Sequence, residues 1–169
     1  AIAECGLDTL QFHGDEPPGF CQKFAAKSIK AFRLQRIEDL QRMGDYDVDA
    51  WLLDAHSAQT RGGTGRTFDW KLAVEAKKKG RPIILSTGMS TEAEVMWATA
   101  ILGPDRLVVL HCVSTYPCPT HELNLSGIGW LQARFPVVGY SSHHPGVWDG
   151  LCAAVLGAAM VEKHFTLDR

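Results

Sequence analysis

No apolar run in this chain approaches the ~20 residues that cross a bilayer, and no basic stretch followed by an apolar one opens it. Charge of one sign is also missing: 17 Lys and Arg stand against 19 Asp and Glu, a net charge of -2. That balance gives no electrostatic reason to expect a nucleic acid or an anionic membrane as partner. Cys5, Cys21, Cys112, Cys118 and Cys152 are scattered and form no C-x-x-C pair, so neither a zinc site nor a disulfide framework is suggested. Reduced thiols, and so a cytoplasmic protein, are expected.

What the chain does have is a recurring pattern. Its 169 residues, 46% hydrophobic, suffice for one domain with a core of its own. Seven short apolar runs occur at Leu10–Phe12, Ile29–Leu34, Ala50–Leu53, Pro82–Leu85, Leu107–Leu110, Pro136–Val138 and Met160–Phe165. Helical periodicity and helix start signals fill the gaps. Asp15-Glu16-Pro17-Pro18 suits a first helical turn. Thr91 to Glu94 matches a capping box, and Gly80 and Gly103 sit where helices end. Apolar strands alternating with helices imply a parallel sheet covered on its faces. The units start about 25 residues apart, as in a barrel of ~250 residues.

The expected fold is therefore α/β, a parallel (β/α) TIM-barrel type with seven strands and an incomplete ring, formed as a single domain over 1–169. The polar residues placed just past the strands favour a barrel over an open sheet. They are His13, Arg33, Asp54, Ser86 with Thr87, His111 with Ser114, Ser141 with His143, and His164. A barrel aims all its carboxyl ends at one mouth. Strand edges left open need closure or a partner, so either a homo-oligomer or marginal stability is expected.

Two halves carry different signatures. Leu10 to Pro18 (LQFHGDEPP), Ile29 to Arg33 (IKAFR), Trp51 to Ala55 (WLLDA) and Gly62 to Trp70 (GGTGRTFDW) resemble phosphoribosylanthranilate isomerase, a barrel enzyme of tryptophan biosynthesis. This likeness covers about residues 1–80. Pro82 to Met89 (PIILSTGM), Leu110 to Pro117 (LHCVSTYP), Gly139 to His143 (GYSSH) and Val161 to Arg169 (VEKHFTLDR) resemble the sialic acid synthases, which condense phosphoenolpyruvate with an N-acetylated sugar. This likeness covers 81–169, so the junction falls near Lys79–Leu85. The chain reads as a hybrid.

Each half brings expectations. Asp54 at a strand end is placed to act as a general acid or to order a loop; the isomerase resemblance implies the general acid of an Amadori rearrangement. The Gly62–Gly65 loop suits an anion cradle or a flexible cover. His143 and His164 end successive strands, where two imidazoles can face one ion. The synthase resemblance implies that they hold a divalent metal, Mn²⁺ or Mg²⁺, which polarises the sugar aldehyde. It also implies that Ser86, Thr87, Ser114, Tyr116 and Ser141 bind or border phosphoenolpyruvate. Two positions depart from that family: Ser142 stands where Asp is common, and Ser114 where some members carry Asn. The synthase family draws an acidic residue and two lysines from its early strands, and those strands are of the other family here. Lys30 and Arg33 are no evident substitutes. Three functions therefore compete: condensation, isomerisation, and a non-catalytic hybrid scaffold that binds a metal or an anion.

Overall fold

Apolar strands alternate with helices in sequence order, seven strands among the described residues. A computed structural model describes residues 2–34, 36–55 and 70–164. Among them the strands are β1 (Thr9–Phe12), β2 (Lys27–Leu34), β3 (Ala50–Ala55), β4 (Ile83–Ser86), β5 (Leu107–Cys112), β6 (Val138–Ser142) and β7 (Val161–Lys163). The helices are α1 (Ile2–Cys5), α2 (Pro18–Cys21), α3 (Asp39–Met43), α4 (Trp70–Lys78), α5 (Glu92–Leu102), α6 (Ser126–Gln132) and α7 (Trp148–Val155). The strand order is β1-β2-β3-β4-β5-β6-β7. This is the TIM-barrel type the sequence predicts, incomplete with seven strands where a closed barrel has eight. The chain divides into two compact units, Ala1–Ile83 and Ile84–Arg169.

In the first unit β1 pairs with β2, and β2 with β3, all parallel. Ile29, Ala31, Trp51, Leu40, Met43, Leu72 and Ala76 form its core. Phe12, Phe20 and Phe24 pack mutually with ring centres 5.4–6.0 Å apart. Pro18 opens α2 directly after Pro17, so the acids precede that helix instead of occupying its first turn. Glu16 is used differently: its carboxylate accepts from the Gly14 N–H and pairs with Lys30 at 3.2 Å.

In the second unit β5 pairs with β6, and β6 with β7, again parallel. Every residue of β6 is buried, as expected of a parallel strand covered on both faces. Val109, Leu110, Ile128, Leu131, Val138, Tyr140 and Ala153 make the core. The Thr91 capping box is formed: its Oγ accepts from the Glu94 N–H at 3.3 Å, and Glu94 Oε2 accepts from the Thr91 N–H at 2.7 Å. Gly103 ends α5 at φ 71°, a backbone angle that glycine adopts without strain.

Strand boundaries correct three expectations. β6 begins at Val138, not Pro136, and extends through Ser142, so Ser141 lies inside the strand. Arg33 and Asp54 likewise lie within β2 and β3, opposite each other in register. His111 lies within β5, is buried, and has a ring nitrogen 2.9 Å from the Leu123 carbonyl. Its ring presses on Gly127 of α6 and stacks on Tyr140. Side chains alternate across a strand, and His111 falls on the helix-packed face.

Candidate functional site

β6 and β7 are adjacent and in register, Tyr140↔Val161, Ser141↔Glu162 and Ser142↔Lys163. His143 and His164 therefore follow directly at the two strand ends. Their ring centres are 5.8 Å apart. Tyr116, from the segment after β5, joins them: its ring lies 4.0 Å from that of His143, and its hydroxyl 2.8 Å from His164 Nε2. The structure thus brings together three residues that the sequence singled out from separate motifs.

The second partner of each imidazole sets what it can do. His143 Nδ1 lies 2.7 Å from the Val113 carbonyl oxygen. A carbonyl only accepts, so Nδ1 carries the proton and Nε2 keeps its lone pair. Burial lowers the His143 pKa, helped by the nearby charges of His164 and Lys163 and opposed by the Val113 hydrogen bond. Burial pushes the Tyr116 hydroxyl up to about 12, with Cys112 and Glu162 adding to the effect. The phenol is therefore neutral around pH 7.

The remaining predicted residues are differently engaged. Ser86 ends β4 and is exposed. Thr87 Oγ1 and its N–H both donate to the Leu110 carbonyl, at 2.8 and 3.1 Å, which ties the end of β4 to β5. Ser114 sits against Gly88, where any added Cβ would collide with Ser114 Oγ. Ser141 is buried and donates to Glu162 Oε1 at 3.0 Å. Asp54 lies in β3, but its side chain falls outside the described residues, as does the Gly62–Gly65 loop. Lys30 is buried and saturated: its Nζ donates to Gly14 O at 2.8 Å, Glu16 Oε2 at 3.2 Å, Ala31 O at 3.2 Å and Phe12 O at 3.5 Å.

Sequence reasoning missed Asp149. It is 0% exposed and accepts from the hydroxyls of Tyr140 at 2.9 Å and Ser142 at 2.5 Å. Burial raises its pKa, but those hydrogen bonds, the Lys163 charge and the Gly150 N–H outweigh it, leaving the pKa lowered. The available signal was an acid in the first turn of α7, which normally reads as dipole compensation. His144 points elsewhere: its Nδ1 lies 3.0 Å from Cys118 O and its ring packs on Trp148.

Two imidazoles make a partial metal set. Bonds of ~2.1 Å put each ring centre about 3.2 Å from an ion, so a separation of 5.8 Å is within reach of a shared one. Binding through both Nε2 atoms would require the Tyr116 hydroxyl to leave His164. Among the described residues no group of three or more His, Cys, Asp or Glu surrounds a metal position, so the other ligands would be water or substrate oxygens. Cys21, Cys112, Cys118 and Cys152 are free thiols, and no described helix is long and apolar enough to cross a membrane.

Comparison with known proteins gives two overlapping matches. Residues 1–104 match the N-(5'-phosphoribosyl)anthranilate (PRA) isomerase family, and residues 55–169 match the NeuB family. The chain is 45% identical over 100 residues to N-(5'-phosphoribosyl)anthranilate isomerase of Citrifermentans bemidjiense, covering 59% of this chain and 48% of that protein. It is 41% identical over 104 residues to an uncharacterized protein of Methanocaldococcus jannaschii, covering 59% and 31%. Among solved structures, the N-acetylneuraminic acid (sialic acid) synthetase of Leptospira borgpetersenii, in complex with citrate, aligns with TM-score 0.68 at 27% identity, covering 85% of this chain and 47% of that one. The spore coat polysaccharide biosynthesis protein spsE of Bacillus subtilis aligns with TM-score 0.76 at 23% identity, covering 99% and 53%, and shares the fold. The chain spans about half the length of the curated isomerases it matches.

Proposed function

Because the chain belongs to two families at once, PRA isomerase through residues 1–104 and NeuB through residues 55–169, we propose that it is a hybrid barrel scaffold whose second unit binds a divalent metal and a small anionic substrate without completing either family's reaction. The observation that carries this reading is the cluster of His143, Tyr116 and His164. One imidazole has its lone pair directed by the Val113 carbonyl, and the other stands 5.8 Å away at the end of the next strand. His143 and His164 would hold Mn²⁺ or Mg²⁺. Such an ion, when bound, polarises a carbonyl toward attack. Ser86 and Ser114 bring hydroxyls suited to the phosphate and carboxylate of phosphoenolpyruvate to the neighbouring strand ends, where Thr87, its hydroxyl proton given to the Leu110 carbonyl, ties β4 to β5.

Turnover needs more than this. The lysines and the acid that synthases use come from earlier strands, and here those strands are of the isomerase type. Lys30 is engaged in four hydrogen bonds within the first unit. Sialic acid synthase-type condensation, a transferase reaction, is the activity the second half would serve with those groups restored.

Calorimetry of Mn²⁺ on the intact chain and on the His143→Ala, His164→Ala double variant tests the reading. Micromolar binding abolished by the double variant is expected, with no condensation of phosphoenolpyruvate and an N-acetylated sugar. Absence of binding by the folded chain removes the metal reading, and measurable condensation removes the non-catalytic one. Isomerase turnover that disappears in Asp54→Asn would instead favour chemistry in the first half.

A further inference from the structure

Asp149 is a fully buried carboxylate that none of the site's chemistry above employs. Its Oδ2 accepts from Ser142 Oγ at 2.5 Å. The same Ser142 oxygen accepts from Lys163 Nζ at 2.7 Å. A hydroxyl has one proton to give and lone pairs to receive, so Ser142 relays an anion on α7 to a cation on β7. Lys163 Nζ also donates to the carbonyl of His144 at 2.6 Å. The relay therefore fastens the residues on both sides of His143, and Lys163 directly precedes His164.

Ser142 and Lys163 are partners in the β6–β7 register. The buried charge on Asp149 thus acts at the one rung from which both histidines depart. We infer that Asp149 is a positioning residue that sets the spacing of His143 and His164 through Ser142 and Lys163, an inference that rests on the metal-binding reading of that pair. A carboxylate common at position 142 in the synthase-like motif would meet Lys163 directly. In this chain the carboxylate stands on α7 and Ser142 carries its effect. Partners that orient metal-binding imidazoles alter affinity by about 10–100-fold when removed.

The test follows the imidazole ¹⁵N resonances of His143 and His164 in metal-free protein, and Mn²⁺ affinity by calorimetry. Asp149→Asn keeps the shape but leaves Lys163 without its counter-charge. Both resonances are expected to move, and Mn²⁺ affinity to fall about tenfold. Adding Ser142→Asp to Asp149→Asn returns a carboxylate to Lys163 and is expected to restore both readouts, which a merely structural loss would not allow. Should Asp149→Asn fail to fold, Lys163→Gln breaks the other end of the relay and is expected to move the same resonances. Wild-type resonances in either folded variant, or no recovery in the double variant, overturn the assignment. Failure of the unaltered chain to bind Mn²⁺ overturns only the metal reading, because the metal-free resonances still report the relay.

Discussion

The Tyr116 hydroxyl stands 2.8 Å from His164 Nε2, so the nitrogen that would reach a metal is already in a hydrogen bond. Burial pushes its pKa up to about 12, so the phenol keeps its proton, and whichever group donates, this contact must break before Nε2 can reach an ion. Tyr116→Phe removes the competitor and keeps the ring over His143. A hydrogen bond contributes about 0.5–1.5 kcal/mol net, so Mn²⁺ is expected to bind about two- to tenfold more tightly. Calorimetry decides it. Weaker binding in the variant would mean that the phenol helps to hold the ion.

Glu16 and Lys30 give the first unit a pH dependence. Burial raises the Glu16 pKa, but its backbone hydrogen bonds and Lys30 outweigh this and hold it below the ordinary 4.5. The folded state therefore binds the proton less readily than the unfolded state. The stabilisation is fully present above pH 4.5 and is lost as pH falls through the lower folded value. Glu16→Gln is expected to cost about 1–3 kcal/mol at pH 7. Urea unfolding should show the gap between variant and wild type closing below pH 4, and a pH-independent gap would exclude the charge pair as its source.

Gly139 in β6 has no room for a side chain. A Cβ there would meet Leu110 Cδ2 at 2.5 Å, Met160 Cγ at 2.6 Å and the Met160 carbonyl oxygen at 2.9 Å. The last is backbone and cannot rotate away. Overpacking of this kind costs about 1–3 kcal/mol, so Gly139→Ala should lower the denaturation midpoint of the second unit. A variant as stable as the wild type would show that β6 and the chain at Met160 separate freely.

Thr91→Ala removes the side-chain acceptor of the α5 capping box. The expected loss is about 1 kcal/mol, read as a lower midpoint in urea. The hydrogen bonds of the box join only Thr91 and Glu94, so Mn²⁺ binding should stay unchanged. A coupled loss of affinity would tie the stability of α5 to the site.

Much of the architecture was legible because it rests on local rules. Seven apolar runs became seven strands, and Thr91 with Glu94 formed the box that their spacing implied. Gly103 ended its helix, since a positive φ suits glycine. The two family signatures were equally local, each a set of short motifs in order. The pairing of His143 with His164 was legible too, since adjacent parallel strands place successive ends side by side.

Other features depended on which way a side chain turns after the chain has folded. Composition could not show that His111 lies within β5 on the face toward α6, or that Lys30 is spent on Phe12, Gly14, Glu16 and Ala31. The relay from Asp149 through Ser142 to Lys163 joins a helix to two strands, and no spacing in one segment encodes it. The alternating β/α pattern, the double family membership and the candidate ligands could be read along the chain, because periodicity, capping and motif are properties of neighbours in it. Which polar groups remain available and which are consumed as partners was settled by folding. A buried donor or acceptor must be satisfied by whatever packing brings within 3 Å or so, and that neighbour is set by the fold.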